Sequence, residues 1–364
     1  IRWSFTPRVL SYQDLNDMIY GAALLGAGGG GSITQGLKII KEIIDSGRKV
    51  VIADLSEVSD EELAVVSAGM GSPLAAKYGW RNEHLPAFDL LEKFLGRKIN
   101  YVVPIEIGAG NVAVPVHTAA FKDRILIDGD GAGRAIPELE LTTFDIYGVP
   151  ISPMSISDWE GNGAILFTKD AVTAEKISRN ITVAFEGVAG IALYLMSGVM
   201  ARNVIIPGTL TFSTNIGKIL RTCREKGIEP VEVLRRELNA YVLGSGKVIN
   251  KVMKTVGGFD IGLVEVAEER GSKLRVHLKN ENIIAERDGR VLAMAPDLVC
   301  WLSKDGTPLT NTDIEVGMSV WVIGFKAHEK LRTDKALKAF EHLYADVGFK
   351  MKYVPIEELI SSLE

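Results

Sequence analysis

Four consecutive glycines, Gly28, Gly29, Gly30 and Gly31, sit between two stretches with helical periodicity. Before them Leu15, Met18, Ile19 and Ala22 share one apolar face; after them Leu37, Ile40, Ile43 and Ile44 do the same. Glycine brings no side chain to a core and loses the most entropy on folding, so such a run does not arise from packing. Its physical use is backbone access, with N–H groups turned inward or another segment brought close. Ser32 and Thr34 are candidate N-caps for the second helix, whose N-terminus favours negative charge. Two readings follow: an anion-receiving loop, or a tight helix-to-helix turn against a sheet.

The chain beyond alternates short apolar runs with helical ones. Residues 49–53, 63–67, 100–105 and 124–127 read as buried strands, and 85–95 as a helix ended by Gly96. This alternation predicts an α/β fold, a three-layer α/β/α domain with a mainly parallel sheet. Ligands bind such sheets beyond the carboxyl ends of the strands. Glycine loops follow three strands there: Gly69-Met70-Gly71-Ser72-Pro73, Gly108-Ala109-Gly110-Asn111, and Asp128-Gly129-Asp130-Gly131-Ala132-Gly133-Arg134.

Residues 170–200 read as helical, including the longest apolar run, 183–200, which Glu186 and small residues interrupt. Two further helices are expected near 217–226 and 230–243. Gly244-Ser245-Gly246 reads as a break. Short apolar runs between 262 and 323 then alternate with turns at Arg270-Gly271, Asp288-Gly289 and Asp305-Gly306, which predicts a smaller β-barrel-like domain. The expected division is 1–244, 245–330, and a C-terminal helical segment, 331–364, packing back on the first domain.

At 364 residues, 47% hydrophobic and with a net charge of −5, the chain can bury large cores and lacks the basic tract of a nucleic-acid binder. No uninterrupted apolar run reaches membrane-spanning length. The opening Ile1-Arg2-Trp3-Ser4 has no apolar signal-peptide region. Cys223 and Cys300 cannot build a disulfide framework. A soluble, cytoplasmic protein is expected, without nucleic-acid or membrane partners.

The densest polar segment holds Asp128, Asp130 and Arg134, with Glu138 and Glu140 close behind. Paired carboxylates at a strand end, separated by glycine, can hold a hard cation, position a water as general base, or accept from the N–H groups of a cyclic amide. They can equally shape an Asx-rich turn and pair with Arg134. Glu106 and Asn111 flank the preceding glycine loop and are expected near them. His117 lies between the loops; His84, His277, His328 and His342 are scattered without zinc-site spacing. The glycine run lacks both the Gly-Lys-Ser/Thr of a phosphate loop and a preceding strand, so no nucleotide is expected.

Several segments together resemble one family: Leu25-Gly26-Ala27-Gly28-Gly29-Gly30-Gly31, Asp128 through Glu138, Asp158-Trp159-Glu160-Gly161-Asn162, Asn280-Glu281-Asn282 and Ala295-Pro296-Asp297-Leu298-Val299. They resemble DUF917, the S-methyl-thiohydantoin desulfurase domain family, from about residue 12 to the C-terminus. Ala109, where a glycine is expected, and His117, where an apolar residue is, depart from its pattern. The resemblance implies an α/β domain followed by a barrel-like one, and a link to hydantoinase/oxoprolinase-type enzymes and to sulfur removal from thiohydantoins. It also implies a divalent metal, zinc.

The resulting expectation is a hydrolase-like enzyme in which water attacks the C=S or C=O carbon of a five-membered cyclic amide or thioamide. Asp128 and Asp130 are expected as general base or metal ligands, with His117 as a further ligand. Arg134 is expected to fix a substrate carboxylate or orient Glu138, and both are expected, with the two aspartates, as catalytic residues. Gly28, Gly29, Gly30, Gly31, Glu106 and Asn111 would bind substrate. The alternative is an accessory subunit of a hydantoinase-type complex; a homo-oligomer or such a partner is expected.

Overall fold

The computed structural model describes residues 7–71, 80–269 and 271–362. Ser72 and Pro73 of the first glycine loop, and Arg270 of the first turn, lie outside the described residues. After β1 (Arg8–Val9), Ser11 opens α1 (Tyr12–Leu25) with a capping box: its hydroxyl accepts from Asp14 N, and Asp14 accepts from Ser11 N. Ser32 caps α2 (Ile33–Asp45) by accepting from Gln35 N, while Thr34 lies inside the helix. There follow β2 (Val51–Ala53), β3 (Leu63–Gly71), α3 (His84–Leu95), β4 (Tyr101–Val103), α4 (Ala109–Lys122), β5 (Ile125–Ile127), β6 (Gly129–Asp130), α5 (Thr143–Ile146), β7 (Met154–Ser157) and β8 (Gly163–Leu166). Gly96, at φ 63°, ends α3 as expected. Next come α6 (Ala171–Ala184), β9 (Val188–Ser197), α7 (Gly198–Val204), β10 (Ile206–Pro207), α8 (Thr209–Lys226) and α9 (Pro230–Leu238).

The first sheet runs β1-β2-β5-β4-β3-β9-β7-β8. Its centre, β2-β5-β4-β3, is parallel as expected, but β1 on one side and β9, β7 and β8 on the other pair antiparallel, so the sheet is mixed. Successive strand residues feed opposite faces. Val65, Val102 and Leu126 enter a core with α1, α2, α4 and α8; Ala64, Val66, Val103 and Ile127 enter another with α5, α6 and α7. This is the expected three-layer arrangement.

The helix expected over 183–200 is instead β9, bounded by Glu186 and Gly187 at positive φ. A strand covered on both faces is apolar throughout and shows no alternation, so periodicity alone could not separate it from a buried helix. Gly69-Met70-Gly71 likewise belongs to β3, paired with β9, rather than to a loop. On the helical face α1 and α8 cross closely. A Cβ on Gly21 would lie 1.8 Å from Ser213 O, and one on Gly217 1.8 Å from Asp17 O.

The second sheet contains β11 (Tyr241–Val256), β12 (Phe259–Ala267), β13 (Lys273–Lys279), β14 (Glu281–Arg287), β15 (Arg290–Met294), β16 (Leu298–Ser303), β17 (Pro308–Leu309) and β18 (Ser319–Phe325). It is antiparallel, in the order β15-β14-β13-β12-β11-β18-β16-β17. The expected break at Gly244-Ser245-Gly246 lies within β11, which Gly246 lets approach Ala267 closely. The sheet curls until β14 packs against β16, and Asn282 Nδ2 donates to Val299 O at 2.9 Å between them. Among the described residues no ladder closes the barrel there. Finally α10 (Asp334–Asp346) packs against α5 and β14, and α11 (Ile356–Ser361) against β15. Among the described residues no helix is long and apolar enough to cross a membrane.

Candidate functional site

Where the two sheets' surroundings meet, the glycine run seats against α4. The expected loop at 108–111 is the start of that helix, with Gly108 as its N-cap. A Cβ on Gly108 would lie 2.3 Å from Gly30 Cα, and one on Gly31 3.0 Å from Gly110 Cα. Gly30 O accepts from Gly110 N at 2.9 Å and from Asn111 N, so a backbone carbonyl takes the first N–H groups of α4. Ala27 O and Gly28 O accept from Asn282 N and Asn311 N of the second unit. The glycines thus act as the tight turn of the second reading, joining the units. Gly30 and Gly31 also line a cleft of about 260 Å³.

Two carboxyl groups, Glu106 and Glu281, line that cleft. Glu106 follows β4; its Oε1 accepts from Asn111 Nδ2 and its Oε2 from Ile136 N, each at 2.6 Å. Glu281 opens β14 and is buried, with Oε2 unpartnered and Oε1 where a Cβ on Gly29 would lie 2.1 Å away. Burial, and then the charge of Glu281, push Glu106 well above the usual carboxylate range. Burial pushes Glu281 to about 8, against the pull of nearby Arg134. Like charges so placed cannot both ionise at neutral pH. Glu106 accepts two N–H donors, which favour its ionised form, whereas Glu281 Oε2 has none among the described residues.

The remaining expected residues are placed differently. Asp128 does not face the cleft: its Oδ1 accepts from Leu210 N (3.1 Å) and Thr211 N (3.0 Å), and its Oδ2 from the Thr211 hydroxyl. It serves the N-terminus of α8, which the glycine crossing with α1 holds in place. Asp130 is fully buried behind the cleft wall, its Oδ2 accepting from Ala132 N (2.8 Å) and Gly133 N (2.7 Å); burial outweighs these bonds and lifts it to about 7. Arg134 holds no carboxylate. It donates to Ala135 O, Asp297 O and Asn282 O at 2.8–3.0 Å and lies buried between the units.

Glu138 lines the cleft, but Lys279 Nζ and His342 Nε2 occupy its oxygens, each at 2.5 Å. Burial opposes ionisation there; His342 and Lys279 outweigh it and hold Glu138 below its usual range. His117 is buried in the helical layer, with Nδ1 2.9 Å from His84 Nε2 and its ring stacked on Phe121.

These placements decide the fit of a metal. Asp128 is committed to α8, Asp130 to its own turn and His117 to His84, so the expected set offers no common coordination point. Among the described residues one His/carboxylate cluster has ligand atoms within 4.8 Å of one another: Glu138, His342 and Asp346. Lys279 Nζ lies 2.5 Å from Glu138 and 2.7 Å from Asp346, so an ammonium already balances it. Neither donor set fits a zinc ion.

Glu281, Asn280 and, from α6, Glu175 and Arg179 complete the cleft and were not singled out as site residues from sequence. The available signal was Asn280-Glu281-Asn282, a polar triplet wedged between two apolar β runs, where a buried acid needs a reason.

The fold and cleft define a two-part protein, α/β then curled β, with two carboxyl groups of raised proton affinity, Glu106 and Glu281, lining the cleft. Residues 13–168 match the S-Me-THD-like N-terminal domain and residues 169–356 the S-Me-THD-like C-terminal domain. The chain belongs to the S-Me-THD-like family, that of the S-methyl-thiohydantoin desulfurase domain. The family boundary, at 168/169, falls within the first sheet, before β9. A crystal structure of a protein from Chromobacterium violaceum is similar, with a TM-score of 0.84 and 25% identity over 96% of this chain and 100% of that one. No curated protein matches the chain.

Proposed function

We propose that the protein is a hydrolase-like enzyme of hydantoin or thiohydantoin metabolism, acting on a five-membered cyclic amide or thioamide. Membership of the S-Me-THD-like family supports the substrate class. The observation that carries the chemistry is that Glu106 and Glu281 line one cleft, with Glu281 Oε2 buried and without a partner among the described residues. In this reading Glu106, with its two N–H donors, is the carboxylate and Glu281 the carboxylic acid, and together they supply a base and an acid.

For a thiohydantoin, ionised Glu106 takes a proton from water as its oxygen bonds to the ring C=S carbon, and Glu281 gives its proton to sulfur. The roles then reverse. Glu281 takes the hydroxyl proton as the C=O bond forms, and Glu106 gives its proton to the departing sulfur. Water enters, hydrogen sulfide leaves, a C–O bond replaces C–S, and the pair regains its starting protonation. Asn111 and the Ile136 N–H orient Glu106 throughout.

Sulfide release from a 2-thiohydantoin by the purified protein and by Glu281→Gln tests this reading. Loss of general acid–base action should cost about 100- to 10,000-fold in kcat with the thermal unfolding transition retained. Unchanged turnover in the variant rejects the assignment. A wild type that releases no sulfide alone and co-purifies with another subunit supports the accessory role instead.

A further inference from the structure

We infer that the cleft selects ring substrates carrying a carboxylate, and that Arg179 is the residue that reads it; this rests on the reading of the cleft as an active site. Among the described residues Arg179 is the only cationic side chain lining the cleft. It lies one helical turn after Glu175 on α6, and Glu175 Oε1 accepts from both Nε (3.0 Å) and Nη2 (2.6 Å). Glu175 is itself held, its Oε2 accepting from Leu139 N at 3.3 Å. One edge of the guanidinium is therefore fixed, and its Cζ lies over the Phe259 ring, 5.7 Å from the centroid.

Among the described residues the other edge is unspent. Nη1 makes no hydrogen bond to the described residues, and the side chain is 40% exposed. A guanidinium anchored along one edge is pre-organised to bind a planar carboxylate with the rest of its fork. The surrounding charge sharpens the choice. Glu138 is balanced by Lys279 and His342, and burial favours the neutral forms of Glu106 and Glu281, so the acids in the cleft carry less negative charge than their number suggests. Arg179 offsets the remaining acid, Glu175, and still presents donors. A ring bearing a carboxylate arm can thus place its C=S or C=O carbon at the glutamates while the arm reaches α6.

The test compares a carboxymethyl-substituted 2-thiohydantoin with its primary amide, on wild type, Arg179→Gln and Arg179→Lys. The acid should be preferred by wild type by about tenfold or more in kcat/KM. Arg179→Gln should remove that preference by raising KM for the acid about tenfold more than for the amide, and Arg179→Lys should restore part of it. A wild type indifferent to the charge overturns the inference and leaves the active-site reading standing. Equal losses on acid and amide in Arg179→Gln overturn it too, since they reduce Arg179 to a support for Glu175. No turnover of either ring by wild type overturns both readings. Should Arg179→Gln not fold, the wild-type preference and Arg179→Lys still decide the matter.

Discussion

Arg134 Nη2 donates to the carbonyl of Asn282 at 2.8 Å, tying the glycine-rich end of the first sheet to β14 of the second. The same guanidinium reaches Asp297 O at 3.0 Å and Ala135 O at 2.9 Å, all in the interior. Burial lowers its proton affinity, against the pull of Glu281 and the other acidic neighbours.

Arg134→Ala should therefore act as a structural lesion. It leaves several buried carbonyls without donors and removes the cation beside Glu281, at a cost of about 3–5 kcal/mol. Arg134→Lys should recover little, because a point ammonium cannot span carbonyls from two units. Urea denaturation measures both. A near-wild-type midpoint with a raised KM for carboxylate-bearing substrates would return Arg134 to the substrate-binding role expected from sequence.

Asp128 makes the opposite case to Glu281, a conspicuous acid whose work is local. Its Oδ1 accepts two N–H groups at the start of α8, as an N-cap does. Asp128→Ala should lower stability by about 1–2 kcal/mol and leave sulfide release within about threefold. Abolished turnover in a folded Asp128→Ala protein would contradict this.

Gly29 and Gly108 separate the two duties of the glycine loops. A Cβ on Gly29 meets the Glu281 carboxyl group at 2.1 Å, whereas one on Gly108 meets Gly30 Cα, a backbone atom, at 2.3 Å. Gly29→Ala should displace the Glu281 side chain and lower kcat about tenfold or more with a modest change in Tm. Gly108→Ala should force the loop off α4 and cost about 1–3 kcal/mol. If both variants lose stability and activity in proportion, Gly29 is purely structural.

These cases mark what a sequence reader could and could not reach. The parallel centre, both helices around the glycines, the Ser32 cap and the later β runs carry strong local signals, namely periodicity, capping chemistry and turn residues. β9 does not, because burial on both faces erases alternation. Glu106 and Asn111 were legible as site candidates from the strand end they follow. Glu281 was not, since it reaches Glu106 only when β14 folds back across 175 residues of chain. Asp128 and Asp130 attracted notice for their density, yet the same backbone that gathers acids at a strand end also supplies N–H groups to hold them. Which use prevails depends on where α8 begins, and that is a tertiary fact.

Three buried carboxyl groups, Asp130, Glu106 and Glu281, have their proton affinity raised in the folded chain, and this fixes the sign of the pH dependence. An unfolded carboxyl group loses its proton near pH 4, whereas folded Asp130 keeps it to about 7 and Glu281 to about 8. Between these limits the native state binds more protons, so stability falls as pH rises from about 4 to 8. Asp130→Asn removes one such group while an amide oxygen can still accept from Ala132 N and Gly133 N. It should flatten the slope and, relative to wild type, stabilise at pH 8 by up to about 4 kcal/mol, with a smaller gain of about 1.5 kcal/mol at pH 5. Sulfide release should follow the other member of the series, declining above about pH 8 as Glu281 loses the proton it donates. Denaturant midpoints at pH 5 and 8, paired with a pH–rate profile, read the two effects separately. A wild-type stability that rises across that interval would mean these acids are ionised in the fold, and the proton that Glu281 donates would be lost from the mechanism with them.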